Sequence, residues 1–280
     1  MGDFVYEYHK EGFFGYSEEN IFKHFSIEHL LPIFLLALGI FLIYRYRERL
    51  AAWKHEDTLR TVIGVLLVLN ECSYYWRLLY VGNSQDGTQM LTFLPLEVCE
   101  WTAYIAALML LKKNKHAYDI VFYITLTLGL IPLATPAVLT RYGFMHFRYY
   151  SFWFEHTVPI LGVFYMTFVH GFRPSYKRVY KPFAWLSVLA TFAIIANLKI
   201  PGANFMYLAA GTPGDSLANV LPANIWIRLA LYFVIISVLF SLVSLPEIIG
   251  EIKKRKRSKA AVPEAAVAAA SDAAEENLSE

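Results

Sequence analysis

Cys99 and His156 are the two residues whose side chains together could make and break an acyl bond. An imidazole can take the proton of a nearby thiol, and the thiolate then attacks an ester carbonyl. Each has a carboxylate beside it in the chain, Glu100 after the cysteine and Glu155 before the histidine. Either could orient the imidazole, and spacing does not choose between them. The competing reading of Cys99 is a small core residue, since free cysteine is among the most buried residue types. For His156 it is an interhelical hydrogen bond. For Glu71 and Glu155 it is an ion pair with Arg77 or Lys199. Cys72 has no clear reason to face Cys99, so no disulfide is expected. No CxxC, HExxH or nucleotide-loop pattern occurs. His146, His156 and His170 are ten or more residues apart, so no metal is expected, and no cofactor.

The elements that must position these groups are apolar helices. The chain has 280 residues, of which 57% are apolar and only 17% charged. That is below the roughly 25% charged content of soluble domains. A helix needs about 20 apolar residues to cross the hydrocarbon layer. Seven segments qualify, at about 27–44, 60–80, 93–111, 118–139, 148–169, 183–200 and 226–249. All are expected to be helical, because a lone strand in lipid leaves its backbone groups unpaired. The expected fold class is an all-α membrane protein, a seven-transmembrane-helix bundle. No internal repeat supports an inverted-repeat transporter.

Lys and Arg set the expected orientation. One set of alternate connections holds Arg45, Arg47, Arg49, Lys54 and Arg60, then Lys112, Lys113 and Lys115, then Arg173, Lys177, Arg178 and Lys181, then the tail from Lys253. The opposite connections are nearly free of them, with Arg141 and Arg148 as exceptions. The N-terminus is therefore expected outside and the C-terminus in the cytoplasm, in a multi-pass plasma-membrane protein. Residues 1–26, with Phe4, Tyr6, Tyr8, Phe13, Phe14 and Tyr16, suit an external headgroup layer. Residues 27–250 form the transmembrane domain. Residues 251–280 are a basic, then low-complexity and disordered, cytoplasmic tail. The net charge of +2 is spread between apolar runs, so no nucleic-acid partner is expected.

Ionisable groups inside a bilayer are costly and are functional candidates by default. On this topology Asn70 and Glu71, then Glu97, Cys99 and Glu100, then Glu155 and His156, all fall in the outer half of the membrane. An outward-opening cavity is expected there. Asn70, Ser73, Tyr74 and Arg77 make one polar stripe at helical spacing. Cys99, Thr102, Ala103 and Ala106 make a small-residue stripe that lets a helix or an acyl chain approach. Pro159 has no N–H for the Glu155 carbonyl, which favours an opening beside His156.

Four stretches carry a resemblance: LPLEVCEWTAYIAALMLL (94–111), FRYYSFWFEHTVPILGVFYM (147–166), RPSYKRVY (173–180) and PGANFMYL (201–208). In this order they resemble the YwaF-type bacterial integral membrane proteins, over about residues 25–250. That family is similar to a eukaryotic transmembrane acyltransferase that remodels ether phospholipids with a cysteine in span three and a histidine in span five. The resemblance implies Cys99 as nucleophile and His156 as its partner, with Glu71, Asn204 and Tyr207 at family positions. Glu97 stands where a histidine is more usual, and Thr157 where a glycine is common. The expected activity is phospholipid acyl transfer or hydrolysis in an outer-leaflet cavity. Membrane phospholipids are the substrate, and Asn70, Glu71, Arg77, Glu100, Glu155, Asn204 and Tyr207 support or line the site. The rival expectation is a proton- or cation-coupled transporter using the intramembrane Glu and His. A receptor has only the number of spans in its favour.

Overall fold

The computed structural model describes residues 12–17, 19, 21–80, 94–209 and 217–278, with side chains in the same ranges except 77–80, 217–218 and 255–278. All regular structure among the described residues is helical. In chain order the α-helices are α1 (Ile27–Arg45), α2 (Arg47–Ala51), α3 (Glu56–Tyr80), α4 (Val98–Lys112), α5 (Lys115–Thr125), α6 (Leu130–Ala134), α7 (Phe147–Phe168), α8 (Tyr180–Lys199) and α9 (Ile225–Leu278). Four stretches are long and apolar enough to cross a membrane: Ile27–Arg45, Lys115–Leu139, Tyr176–Lys199 and Ile225–Lys254. The apolar windows of the first and last are only 11% buried within the protein. Phe34, Leu35 and Phe41 of α1 and Phe233, Val234 and Leu242 of α9 are all more than half exposed, a surface suited to lipid.

α3, α4 and α7 form the centre, and they are less apolar because they carry the polar residues. Ala103, Ala106, Met109, Leu67, Val163 and Met166 are all fully buried where the three meet. The small-residue stripe of α4 therefore admits helices. Gly162 lets α7 come close, since a Cβ there would lie 3.3 Å from the Met109 side chain.

Local chemistry moved two boundaries away from expectation. The third segment becomes helical at Val98 rather than near 93, because Glu97 and Glu100 form a capping box. The Glu97 N–H donates to Glu100 Oε2 at 3.1 Å. The fourth is broken after Thr125. Thr125 and Thr127 hydroxyls donate back to the Val121 and Tyr123 carbonyls, which bends helices. Gly129 N–H reaches the Ile124 carbonyl at 2.9 Å, and a Cβ on Gly129 would lie 2.8 Å from the Thr125 carbonyl oxygen. Pro132 and Pro136 then remove further donors. α7, by contrast, runs through Pro159 unbroken.

Both terminal segments carry structure among the described residues. Phe13 packs edge-on against Phe147 and its carbonyl accepts the Phe147 N–H at 2.7 Å, and Phe22 is buried. The described part of the N-terminal segment thus packs on residues 140–150, while Phe4, Tyr6 and Tyr8 lie outside the described residues. α9 continues through the tail expected to be disordered. Alanine, lysine and glutamate, which dominate there, have high helix propensity.

One end of the bundle is tied by ion pairs. Glu56, 7% exposed, accepts from Arg60 at 3.2 Å, Tyr165 at 3.0 Å and His170 at 2.8 Å. Arg60 also donates to the Leu110 carbonyl at the end of α4 and to Asp57. Asp119 holds Arg178 and Lys181 at 2.9 and 2.6 Å. Burial opposes the Glu56 charge, but His170 and Tyr165 outweigh it and hold the carboxyl below the usual glutamate range. A folded-state pKa below the unfolded value, about 4.3, means this stabilisation is complete above that pH and is lost as pH falls through the folded value. Glu56→Gln is expected to lower stability at neutral pH by about 1–3 kcal/mol. It should also flatten the acid limb of a stability-versus-pH curve, read by thermal unfolding in detergent. An acid limb identical to that of the parent protein would refute this.

Candidate functional site

The polar residues of the three central helices converge at the other end of the bundle. The Glu97 cap starts α4 at Val98 and so sets Cys99 in its first turn. Glu155, Glu100, Glu97 and Glu71 all lie within electrostatic reach of the thiol. A thiol becomes a nucleophile by giving its proton to a base at hand. Glu155 and His156 lie two turns into α7, buried at 5% and 8% exposure, whereas Cys99 and Cys72 are free thiols only partly buried.

A Cys99 Sγ, a Glu155 carboxylate oxygen and a His156 ring nitrogen all lie within 4.8 Å of one another. His156 Nδ1 lies 2.8 Å from the Phe152 carbonyl. A carbonyl only accepts, so Nδ1 carries the proton and the neutral ring keeps its lone pair on Nε2. The Phe152 ring lies 4.3 Å from the imidazole, centroid to centroid, and helps fix its plane. The arrangement can deprotonate a thiol or hold a cation.

Around this triple lie further carboxylates and a guanidinium. Glu155 Oε2 accepts from Arg148 at 3.5 Å, and the Arg148 guanidinium sits 4.9 Å from the centre of the Tyr74 ring. Glu100 accepts from the Tyr75 hydroxyl at 3.2 Å. Asn70 donates to the Ser151 carbonyl at 3.3 Å, which joins α3 to α7. Glu71 is 3% exposed, and its Oε1 is buried with no hydrogen-bond partner.

The segment after α8 closes the site. Asn197 clamps Phe205 from both sides, donating to its carbonyl at 3.0 Å and accepting its N–H at 2.7 Å. Glu97 accepts the Met206 N–H at 3.1 Å. Met206 and Tyr207 have φ of 55° and 51°, left-handed conformations that cost non-glycine residues about 1–3 kcal/mol each. Arg228, 1% exposed, helps hold them by donating to the Tyr207, Leu221 and Pro222 carbonyls at 2.9, 2.7 and 2.7 Å. Tyr207 is thereby kept within electrostatic reach of Glu97 and Cys99. Arg228→Ala removes three donors and is expected to destabilise the fold by about 3 kcal/mol, at about 1 kcal/mol per bond. A Tyr207→Phe variant should keep its stability. Equal unfolding temperatures for Arg228→Ala and the parent protein would show the clamp to be unimportant.

The structure therefore brings together Cys99, Glu155, His156, Glu71, Glu100 and Tyr207, with Asn70 one contact away. Asn204 accepts the Ala209 N–H at 3.0 Å and shapes the closing segment. The Arg77 side chain lies outside the described residues. Among the described residues Glu155 pairs with Arg148 and not with Lys199. The three histidines are separate: His146 Nδ1 accepts from Gly143 N–H, and His170 sits on Glu56 at the other end of the bundle. The metal-compatible triple mixes residue types from two helices, which a search for histidine spacing does not see. Sequence reading gave Arg148 and Arg228 no role in the site. Arg228 could have been found as a lone guanidinium in the apolar run IWIRLALYF.

No curated protein and no solved structure matches the chain. The model of the TMEM164 family, a family of transmembrane proteins, matches residues 24–243, which contain every residue of this site. The chain belongs to the TMEM164 family.

Proposed function

We propose that this chain is a membrane-embedded acyltransferase or acyl hydrolase acting on phospholipids, with Cys99 as nucleophile and His156 as base. The observation that carries the reading is the mutual approach of the Cys99, His156 and Glu155 donor atoms to within 4.8 Å, together with an imidazole whose Nδ1 is committed to the Phe152 carbonyl. Nε2 takes the thiol proton, and sulfur bonds to the ester carbonyl carbon. The ester C–O bond breaks, and the departing lysolipid oxygen takes the proton back from Nε2. Attack on the thioester by a second lysolipid hydroxyl, or by water, with His156 again as base, releases the acyl group and restores the thiol. Glu155, paired with Arg148, stands beside the ring that becomes cationic. An apolar groove of about 370 Å³ between residues 94–96 and the last turns of α8, with Lys199 among its lining, is suited to an acyl chain. Its lining residue Leu96 precedes Cys99 by three positions. The YwaF-type resemblance of the four motifs supports the same chemistry.

The reading includes seven spans, an external N-terminus, a cytoplasmic C-terminus and a site in the outer leaflet of the plasma membrane. The ion-paired bundle end supports this orientation, because it collects Arg60, Lys113, Arg178 and Lys181. The test is acyl-thioester trapping by purified protein given phospholipids labelled in the acyl chain. Label should appear on Cys99 of the parent protein, and turnover unchanged in Cys99→Ser removes the reading.

A proton-coupled transporter is favoured by one observation, the buried Glu71 Oε1 without a partner. Against it, the two polar ends are separated by the fully buried apolar layer of Leu67, Ala103, Ala106 and Met166. A proton or cation flux in proteoliposomes that disappears in Glu71→Gln would establish it over the enzyme.

A further inference from the structure

We propose that Cys99, Glu155 and His156 form a binding site for one zinc ion, and that zinc occupancy masks the thiol. The masking half rests on the function proposed above; the binding half does not.

The donor set comes first. Thiolate, imidazole and carboxylate are the three side-chain ligand types that zinc takes, and donors with one open position are common where zinc also meets a small ligand. The donor atoms of these three residues already stand within 4.8 Å of one another, so modest side-chain movement closes them on an ion. Because α4 and α7 pack tightly through the small face of Ala103 and Ala106, the backbone holds the thiol and the imidazole in register before any ion arrives.

The surroundings supply a second, independent argument. Metal-bound histidines usually donate their other ring N–H to a carbonyl or carboxylate, which fixes the tautomer and the ring. His156 Nδ1 makes this bond, at 2.8 Å from the Phe152 carbonyl, so the lone pair of the neutral ring stands on Nε2. Glu155 is steadied from outside the cluster as well, by Arg148 on Oε2. Next to them, Glu71 keeps a buried oxygen without a partner, the kind of orphan that an ion or an ordered water explains.

The step balances without redox chemistry. Sulfur gives up its proton to the medium as the S–Zn bond forms, Nε2 and the carboxylate donate lone pairs, and zinc remains divalent. Binding therefore tightens as pH rises. A chelator takes the ion away and the thiol regains its proton.

The experiment uses the full chain purified in detergent and freed of metal. Zinc chloride is titrated against a chelating indicator, and alkylation by iodoacetamide is mapped to each cysteine by mass spectrometry. One zinc per chain is expected, with affinity at least about 100-fold weaker in Cys99→Ser and in His156→Ala. It should be unchanged in Cys72→Ser. Zinc should protect Cys99 but not Cys72, and chelator should abolish the protection. Cobalt should give a thiolate-to-metal charge-transfer band that Cys99→Ser lacks, and each variant is first checked for a monodisperse elution profile and parental helicity. No stoichiometric zinc, or equal affinity in Cys99→Ser, overturns the site. Lipid turnover that zinc does not inhibit overturns the masking and leaves the enzyme reading intact. Zinc binding and protection without turnover of any phospholipid removes the enzyme reading and leaves the ion site.

Discussion

His156→Ala is expected to lower acyl transfer by roughly 10²–10⁴-fold, the usual contribution of a positioned general base. Cys99→Ser is expected to lower it further, to background. Serine keeps the size and the hydrogen-bonding capacity of the side chain, but a hydroxyl is far harder to deprotonate than a thiol. The fold should survive Cys99→Ser, because Cys99 is only partly buried and the principal packing of α4 lies deeper, at Ala103, Ala106 and Met109. Nucleophile and base act as one unit, so the double variant should be no slower than Cys99→Ser alone. Single-turnover measurements with a labelled phospholipid check each of these. A double variant markedly slower than Cys99→Ser would mean that His156 works independently of the thiol. Equal rates in His156→Ala and the parent protein would remove the imidazole from the chemistry.

Arg148→Ala is expected to be the most damaging substitution for stability, at about 3–5 kcal/mol. Its guanidinium faces Glu155 at 3.5 Å and Tyr74 at 4.9 Å, and the Glu155 side chain is only 4% exposed. Removing the cation leaves a buried carboxylate uncompensated among Glu71 and Glu100. The effect should be largely suppressed by adding Glu155→Gln, because the second change removes the orphaned charge. Thermal unfolding of the two variants in detergent checks this. If Arg148→Ala/Glu155→Gln unfolds as early as Arg148→Ala, the loss comes from packing against Tyr74 and not from charge.

Much of the helical layout was legible in the sequence. Runs expected at 27–44, 148–169 and 183–200 appear as Ile27–Arg45, Phe147–Phe168 and Tyr180–Lys199, because apolar length and helical hydrogen bonding are both local properties. The misplaced boundaries were local too, but they turn on side-chain hydrogen bonds that hydropathy does not register. Glu97 and Glu100 begin α4 five residues late, and Thr125, Thr127 and Gly129 interrupt the fourth stretch. In the tail, low complexity and high helix propensity coincide in an alanine-rich run, and α9 continues through it.

For the site, sequence alone identified the residue types and the helices that bear them. Cys99, Glu71, Glu155 and His156 stand out because an ionisable or reactive group in an apolar run needs a reason to be there. Which groups meet was decided by tertiary structure. Glu155 takes Arg148 as its partner, Arg228 gathers three carbonyls, and left-handed backbone at Met206 and Tyr207 keeps Tyr207 within electrostatic reach of Cys99. The physical reason is the rotation of each helix about its axis. Hydropathy leaves that angle open among polar faces, and the close packing of Gly162 and the alanines of α4 sets it.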